Sequence, residues 1–209
     1  MSKIDIKRYN PKTFVSSAYR NNIKLIKRLN LTSESVFIDI GAHRGQEISF
    51  LQSTGCKIHS FECNPHHYDN LCTLYGKNPN IVLNKLLVTN SDGKRKRCYF
   101  KNTSKGGSMS EEPSKINNSS EYIYAKTIRL STYIKNHDLE KIDVLKIDAE
   151  GSEFKIIQDL IETKVIDKIK IILYEDHARK IKSNIWKNHR KSVLKNMEKI
   201  TKTKFKKWL

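Results

Sequence analysis

The chain has 209 residues, with 40 basic and 22 acidic side chains and a net charge of +18. That length supports one domain with a sizeable core, and no apolar run is long enough to span a bilayer. The opening Met1-Ser2-Lys3-Ile4-Asp5 lacks the apolar stretch of a secretory signal, which argues against exported classes and makes the cytosol the expected compartment.

Residues 1–12 read as a loose arm ended by Asn10-Pro11. Phe14, Ala18, Ile23, Ile26 and Leu29 share one face at helical spacing. Residues 1–32 are therefore an arm and covering helix, and residues 33–209 the main domain. Val36 to Ile40 predicts a short buried strand that runs into Gly41-Ala42-His43-Arg44-Gly45. The two glycines permit a tight turn and close approach of a ligand to bare backbone. Gln46 to Ser53 is a crossover helix, and Lys57 to Phe61 a second strand closed by Glu62. Asn64-Pro65 starts a helix to about Tyr75, with Asn64 as its cap.

Ile81 to Val88 reads as a third strand, Asn90-Ser91-Asp92-Gly93 as a turn, and Arg95 to Lys101 as an outer strand. Residues 102–121 are rich in Ser, Asn, Gly and Lys, a composition and length typical of a functional or disordered loop. Tyr122 to Leu130 is another strand, and Ser131 is placed to cap a short helix. Asp143 to Ile147 is the fourth parallel strand, Glu153 to Ile161 its helix, and Lys170 to Tyr174 the fifth. Residues 181–199 form a basic amphipathic helix, and the tail sets Phe205, Trp208 and Leu209 among four lysines, with Trp186, Phe205 and Trp208 read as anchors to the sheet. Strands alternating with helices predict an α/β, Rossmann-like fold with a doubly wound, mostly parallel sheet. Little chain follows the fifth strand, so a C-terminal hairpin is reduced or missing.

Ligands of such a sheet bind outside the carboxyl ends of the strands, where this chain places Asp39, Glu62, Asp148 and Glu175. Core packing does not call for four acids at one edge, because a buried acid is costly unless paired. An acid just past the second strand can accept hydrogen bonds from both hydroxyls of a ribose, which points to a nucleoside-containing cofactor. A dinucleotide site wants G-x-G-x-x-G, and here His43 stands where a third glycine is expected. S-adenosylmethionine carries an ammonium, a carboxylate and a sulfonium but no phosphate, so an acid beside the turn suits it better. The candidate cofactor residues are Asp39, Gly41, Ala42, His43, Gly45, Glu62, Cys63 and Asp148.

Methyl transfer to a hydroxyl needs the acceptor aligned and one proton removed. Candidate catalytic residues are Asp148, Glu150, His177 and Lys146. His177 has the unperturbed pKa best suited to a base near neutrality. Lys146, inside an apolar strand, points opposite Leu145 and Ile147 and reads as an ion-pair partner more than as a base. Glu153 falls in the first turn of its helix, where the dipole favours a carboxylate. Asp148 with Glu175, Asp176 and His177 offers ligands of the kind Mg²⁺ or Mn²⁺ takes, but the spacing matches no recognised metal motif and no metal is assigned. Cys56, Cys63, Cys72 and Cys98 likewise fit no zinc pattern.

Four segments together resemble one known family, the FkbM-type methyltransferases. They are Phe37 to Asn64, Ser104-Lys105-Gly106-Gly107-Ser108-Met109-Ser110, Leu145-Lys146-Ile147-Asp148-Ala149-Glu150-Gly151-Ser152-Glu153, and Ile172-Leu173-Tyr174-Glu175. The similarity covers residues 33 to 177. It implies a class I methyltransferase fold, S-adenosylmethionine as donor, and a hydroxyl of a sugar or natural product as acceptor. The chain departs from the family's usual pattern in having Cys63 where proline often follows the acid, and His43 where asparagine often follows Gly-Ala.

The expected activity is therefore O-methylation of a sugar, glycan or related small molecule. The positive field suits an anionic acceptor, although lysines spread over solvated faces need no partner. A nucleic-acid methyltransferase is the alternative. The chain has no Asn-Pro-Pro-aromatic tetrapeptide and no C-x-x-C motif, which disfavours it. A catalytically silent cofactor-binding subunit is the third reading, opposed by the retention of Asp39, Glu62 and Asp148. Nothing in the sequence points to a membrane partner or fixes an oligomeric state.

Overall fold

The computed structural model describes residues 17–100, 110–111, 122–177 and 184–208. The arm before residue 17, the loop Lys105 to Met109, Lys180 and Leu209 lie outside the described residues. Six strands form one sheet in the order β3-β2-β1-β7-β8-β9, and every neighbouring pair is parallel. They are β1 (Val36–Ile40), β2 (Lys57–Phe61), β3 (Ile81–Asn84), β7 (Ile142–Ile147), β8 (Ile169–Tyr174) and β9 (Lys204–Lys207). A smaller sheet, β4-β6-β5, holds β4 (Leu87–Thr89), β5 (Arg95–Tyr99) and β6 (Tyr122–Arg129). The helices are α1 (Ser17–Lys27), α2 (Gln46–Leu51), α3 (Pro65–Tyr75), α4 (Leu130–Asn136), α5 (Glu153–Glu162) and α6 (Asn184–Met197). This is the expected Rossmann-like α/β architecture.

Alternation along the central strands divides the core into two layers. Ile38, Ile40, Leu145 and Ile147 pack with Ile134, Phe154, Ile157 and Leu160 of α4 and α5. On the other face, Phe37 and Val144 pack with Ile26, Ile48, Leu71 and Trp208. Asp39 and Lys146 continue that second face, two residues beyond Phe37 and Val144, and are register partners across β1 and β7. The sheet therefore places an ion pair where its apolar face ends.

Several expectations change. The third strand is not continuous from Ile81 to Val88. It stops at Asn84, whose amide donates to the Ser60 carbonyl and the Tyr133 hydroxyl, and the chain resumes as β4 in the smaller sheet. The tail after Lys202 is not a mere anchor. It forms β9, a parallel edge strand in place of a hairpin, and the Trp208 amide donates to the Tyr174 carbonyl at 2.8 Å. Ser131 does not cap its helix through its side chain. Asp159 of α5 does that work instead, accepting from the Ser131 amide at 3.2 Å. Asn64 does cap α3, accepting from the His66 amide at 2.9 Å with Pro65 in the first turn.

Candidate functional site

The turn after β1 is built by packing. Gly41 has φ +79, and a Cβ there would stand 2.0 Å from the Asp148 carbonyl oxygen. At Gly45, φ +73, a Cβ would meet Leu71 and Tyr75 of α3 at 2.6 and 2.8 Å. The close approaches that require these glycines in the structure are made by the protein itself. The Gly41 and Ala42 amides both donate to the Phe61 carbonyl, at 3.0 and 3.1 Å, and fasten the turn to the end of β2.

Glu62 lies over this turn. Its carboxylate accepts from the His43 amide and the Asn64 amide, each at 2.7 Å. Only 8 % of the residue is exposed, and burial pushes its pKa up to about 7, against the pull of those two amides. Each oxygen has one donor and retains acceptor capacity. His43 takes a left-handed φ of +49 and packs against His67, with ring centroids 4.2 Å apart and the planes tilted by 55°. Ala42 is buried beneath, and Cys63 packs beside Cys98, Leu87 and Ala125.

Beneath the turn, Lys146 is the centre of charge. Its ammonium donates to the Gly41 carbonyl at 2.8 Å and lies 3.2 Å from Asp39 and 3.6 Å from Asp148. Burial would lower its pKa, but the carboxylates of Asp39, Glu47 and Asp148 outweigh that and raise it. Lys146 is therefore a buried cation without a lone pair to offer as a base, and Asp39 is committed to it. Glu47, in the first turn of α2, is a participant that sequence reasoning missed. It is buried and pushed up to about 7 by that burial, against the pull of Lys146. The only trace in the sequence was an acid two residues past Gly45.

The second half of the site joins the ends of β7 and β8. The Asp148 amide donates to the Ile40 carbonyl and the Glu175 amide to the Ile147 carbonyl, each at 3.0 Å, which holds these acids at adjacent strand ends. Glu153 is fully buried and accepts from the Ala149 amide at 3.1 Å and the Gly151 amide at 3.0 Å. It therefore caps the turn that carries Glu150, itself held at φ +47. His177 sits among four carboxylates. Nδ1 is 2.8 Å from Glu153 and 4.0 Å from Asp148, and Nε2 is 2.9 Å from Glu175 and 3.5 Å from Glu150. Burial would lower its pKa, but the hydrogen bonds of Glu153 and Glu175 and the charge of Glu150 push it up to about 10. An imidazolium at neutral pH cannot accept a proton, so His177 does not stand ready as the base the sequence suggested. Asp176 points elsewhere, into the Arg190 guanidinium.

One further acid ties the smaller sheet to this edge. Ser110 pairs with Tyr99, and the next residue, Glu111, accepts from the hydroxyls of Thr89 at 2.7 Å and Ser152 at 2.9 Å. Lys96 and Lys155 complete its surroundings. Sequence reasoning passed over Glu111 because it lies within a polar loop with no periodicity. No helix among the described residues is long and apolar enough to cross a membrane.

A family model described as the methyltransferase FkbM domain matches residues 39–199. Among solved structures, the crystal structure of a yeast methylglyoxal/isovaleraldehyde reductase complexed with NADPH is similar at 12% identity and a TM-score of 0.46. That similarity covers 83% of this chain and 53% of the reductase, so the chain spans about half the length of that protein. No curated protein matches the chain.

Proposed function

The chain belongs to the FkbM methyltransferase domain family, and we propose that it transfers a methyl group from S-adenosylmethionine to a hydroxyl of an anionic sugar or glycan. The observation that carries this reading is Glu62, a nearly buried carboxylate with acceptor capacity left over, set beside the Gly41–Gly45 turn. Hydroxyl donors from a ribose would relieve the cost of burying that acid. When bound, the donor supplies an electrophilic methyl carbon on its sulfonium. Glu62 holds the ribose, and the Asp39–Lys146 pair keeps the turn in place from below. Asp148, whose side chain is 29% exposed, faces the reacting centre with Glu150. One of these carboxylates would take the proton of the acceptor hydroxyl.

The anionic character of the acceptor is supported by the smaller sheet. Arg95, Arg97 and Tyr99 stand opposite Lys126, Tyr124 and Tyr122 across β5 and β6. Arg97 lies over the Tyr122 ring at 4.6 Å and Arg95 over Tyr124 at 5.5 Å. Arg97 also donates Nε–H to the Tyr124 hydroxyl at 3.5 Å, and a guanidinium over a ring can turn its remaining N–H groups to phosphate or carboxylate. The same face also favours a second reading, single-stranded RNA as acceptor, since bases stack on aromatic platforms flanked by arginine.

The test is transfer of labelled methyl from S-adenosylmethionine to three acceptors: an acidic glycan, its neutral counterpart and single-stranded RNA. Transfer to the acidic glycan alone is expected. Transfer to RNA alone would replace the first reading by the second. Cofactor binding without transfer to any acceptor would leave a silent binding subunit.

A further inference from the structure

We infer that Asp148, Glu175 and His177 form a divalent-cation site at the carboxyl ends of β7 and β8. One ligand atom from each lies within 4.8 Å of the others. His177 separates this cluster from a mere patch of acids. Its imidazole is buried, and Nδ1 meets the Glu153 carboxylate at 2.8 Å. Glu153 is itself fastened by the Ala149 and Gly151 amides, so it holds the ring in one orientation. A carboxylate that takes Nδ1–H fixes the ring for a metal, and Nε2 becomes the ligand nitrogen as the incoming cation displaces its proton to solvent.

Nε2 faces Glu175 Oε1 at 2.9 Å. Neighbouring ligands of one cation, each at roughly 2.0–2.3 Å, stand about 3 Å apart, so this pair is already spaced to share an ion. Asp148 divides its carboxylate between two neighbours. Oδ2 lies 3.6 Å from Lys146, and Oδ1 lies 4.0 Å from His177 Nδ1, so the carboxylate has to turn to reach the Nε2 side. Its partial exposure lets it swing the remaining distance. Glu150, with Oε2 3.5 Å from Nε2, can add a further oxygen. Two carboxylates with one imidazole, and no thiolate, suit Mn²⁺ or Mg²⁺. A cation there would hold the acceptor hydroxyl and make its proton easier to remove. That last role rests on the methyl-transfer reading, whereas cation binding does not.

The experiment uses the full chain, stripped with chelator and titrated with Mn²⁺, while the electron paramagnetic resonance signal of the aquo ion is followed. One Mn²⁺ per chain, displaced by Mg²⁺, is expected. Glu175→Gln and His177→Gln should each weaken binding by about tenfold or more, and Glu153→Gln by a similar factor although it removes no ligand. Asp176→Asn, whose carboxylate serves Arg190, should leave binding unchanged. Circular dichroism checks that each variant is folded. If His177→Gln fails that check, the partly exposed Glu175 and Asp148 carry the test. Absence of saturable Mn²⁺ binding at millimolar concentration, or binding undiminished in Glu175→Gln, would overturn the site. Methyl transfer is assayed separately. Mn²⁺ binding without transfer to any acceptor would sink the proposed function and keep the site. Methyl transfer by a stripped chain that shows no saturable Mn²⁺ binding when titrated would do the reverse.

Discussion

The Asp148 carbonyl oxygen occupies the space a side chain on Gly41 would need, 2.0 Å from an ideal Cβ. The β1 turn and the end of β7 therefore touch backbone to backbone. Gly41→Ala should be costly twice over, through left-handed strain of roughly 1–2 kcal/mol and overpacking of about 1–3 kcal/mol. Urea denaturation should show a loss of more than about 2 kcal/mol. A variant as stable as the parent would mean that the two strand ends move apart freely.

Glu62 is expected to bind the cofactor ribose. Glu62→Ala should weaken S-adenosylhomocysteine by about 1.5–3 kcal/mol, the scale of hydrogen bonds to a charged group. Calorimetry measures this directly, and unchanged affinity would remove Glu62 from that role.

Asp148→Asn should abolish turnover while the protein stays folded. The side chain is partly exposed and its backbone bonds do not depend on the carboxylate. A near-parental rate on the true acceptor would make Asp148 structural.

Glu111 sets an acid limit on stability. Burial would raise its pKa, but Lys155, Lys96 and the Thr89 hydroxyl more than offset this and hold it down at about 2. Its folded value lies below the ordinary 4.5. Its contribution is therefore complete above that ordinary value and is lost as pH falls toward 2, by up to about 3 kcal/mol. Glu111→Gln should flatten the stability profile across that window. Parallel profiles for parent and variant would refute the assignment.

The C-terminal lysines are expected to address the proposed anionic acceptor. Lys202, Lys204, Lys206 and Lys207 are exposed on and before β9, whose end lies beside Tyr174 on the site's edge of the sheet. The acceptor KM should rise with salt, because exposed charges are screened within ~8 Å at physiological ionic strength. Replacing the four with Gln should mimic high salt without altering cofactor affinity. A salt-independent KM would leave them as solvated surface.

The sequence by itself determined the parallel α/β order of elements, the strand ends that carry Asp39, Glu62, Asp148 and Glu175, and the inward direction of Lys146. Each follows from apolar alternation, turn residues and short-range spacing, which are local properties of the chain. Only the tertiary structure decided what those residues meet. Asp39 is spent on Lys146, a partner 107 residues away, because β1 and β7 pair in one register. The pKa of His177 is pushed up because the ends of β7 and β8 and the start of α5 surround it with carboxylates. Glu111 gains its lysines and hydroxyls from three separate segments, β4, β5 and the start of α5. β9 forms because Trp208 is buried on the α1–α3 face and draws the chain along β8. A side chain's direction can be read from its own strand. Its electrostatic surroundings depend on the strand register and on segments distant in sequence, and those exist only once the sheet has closed.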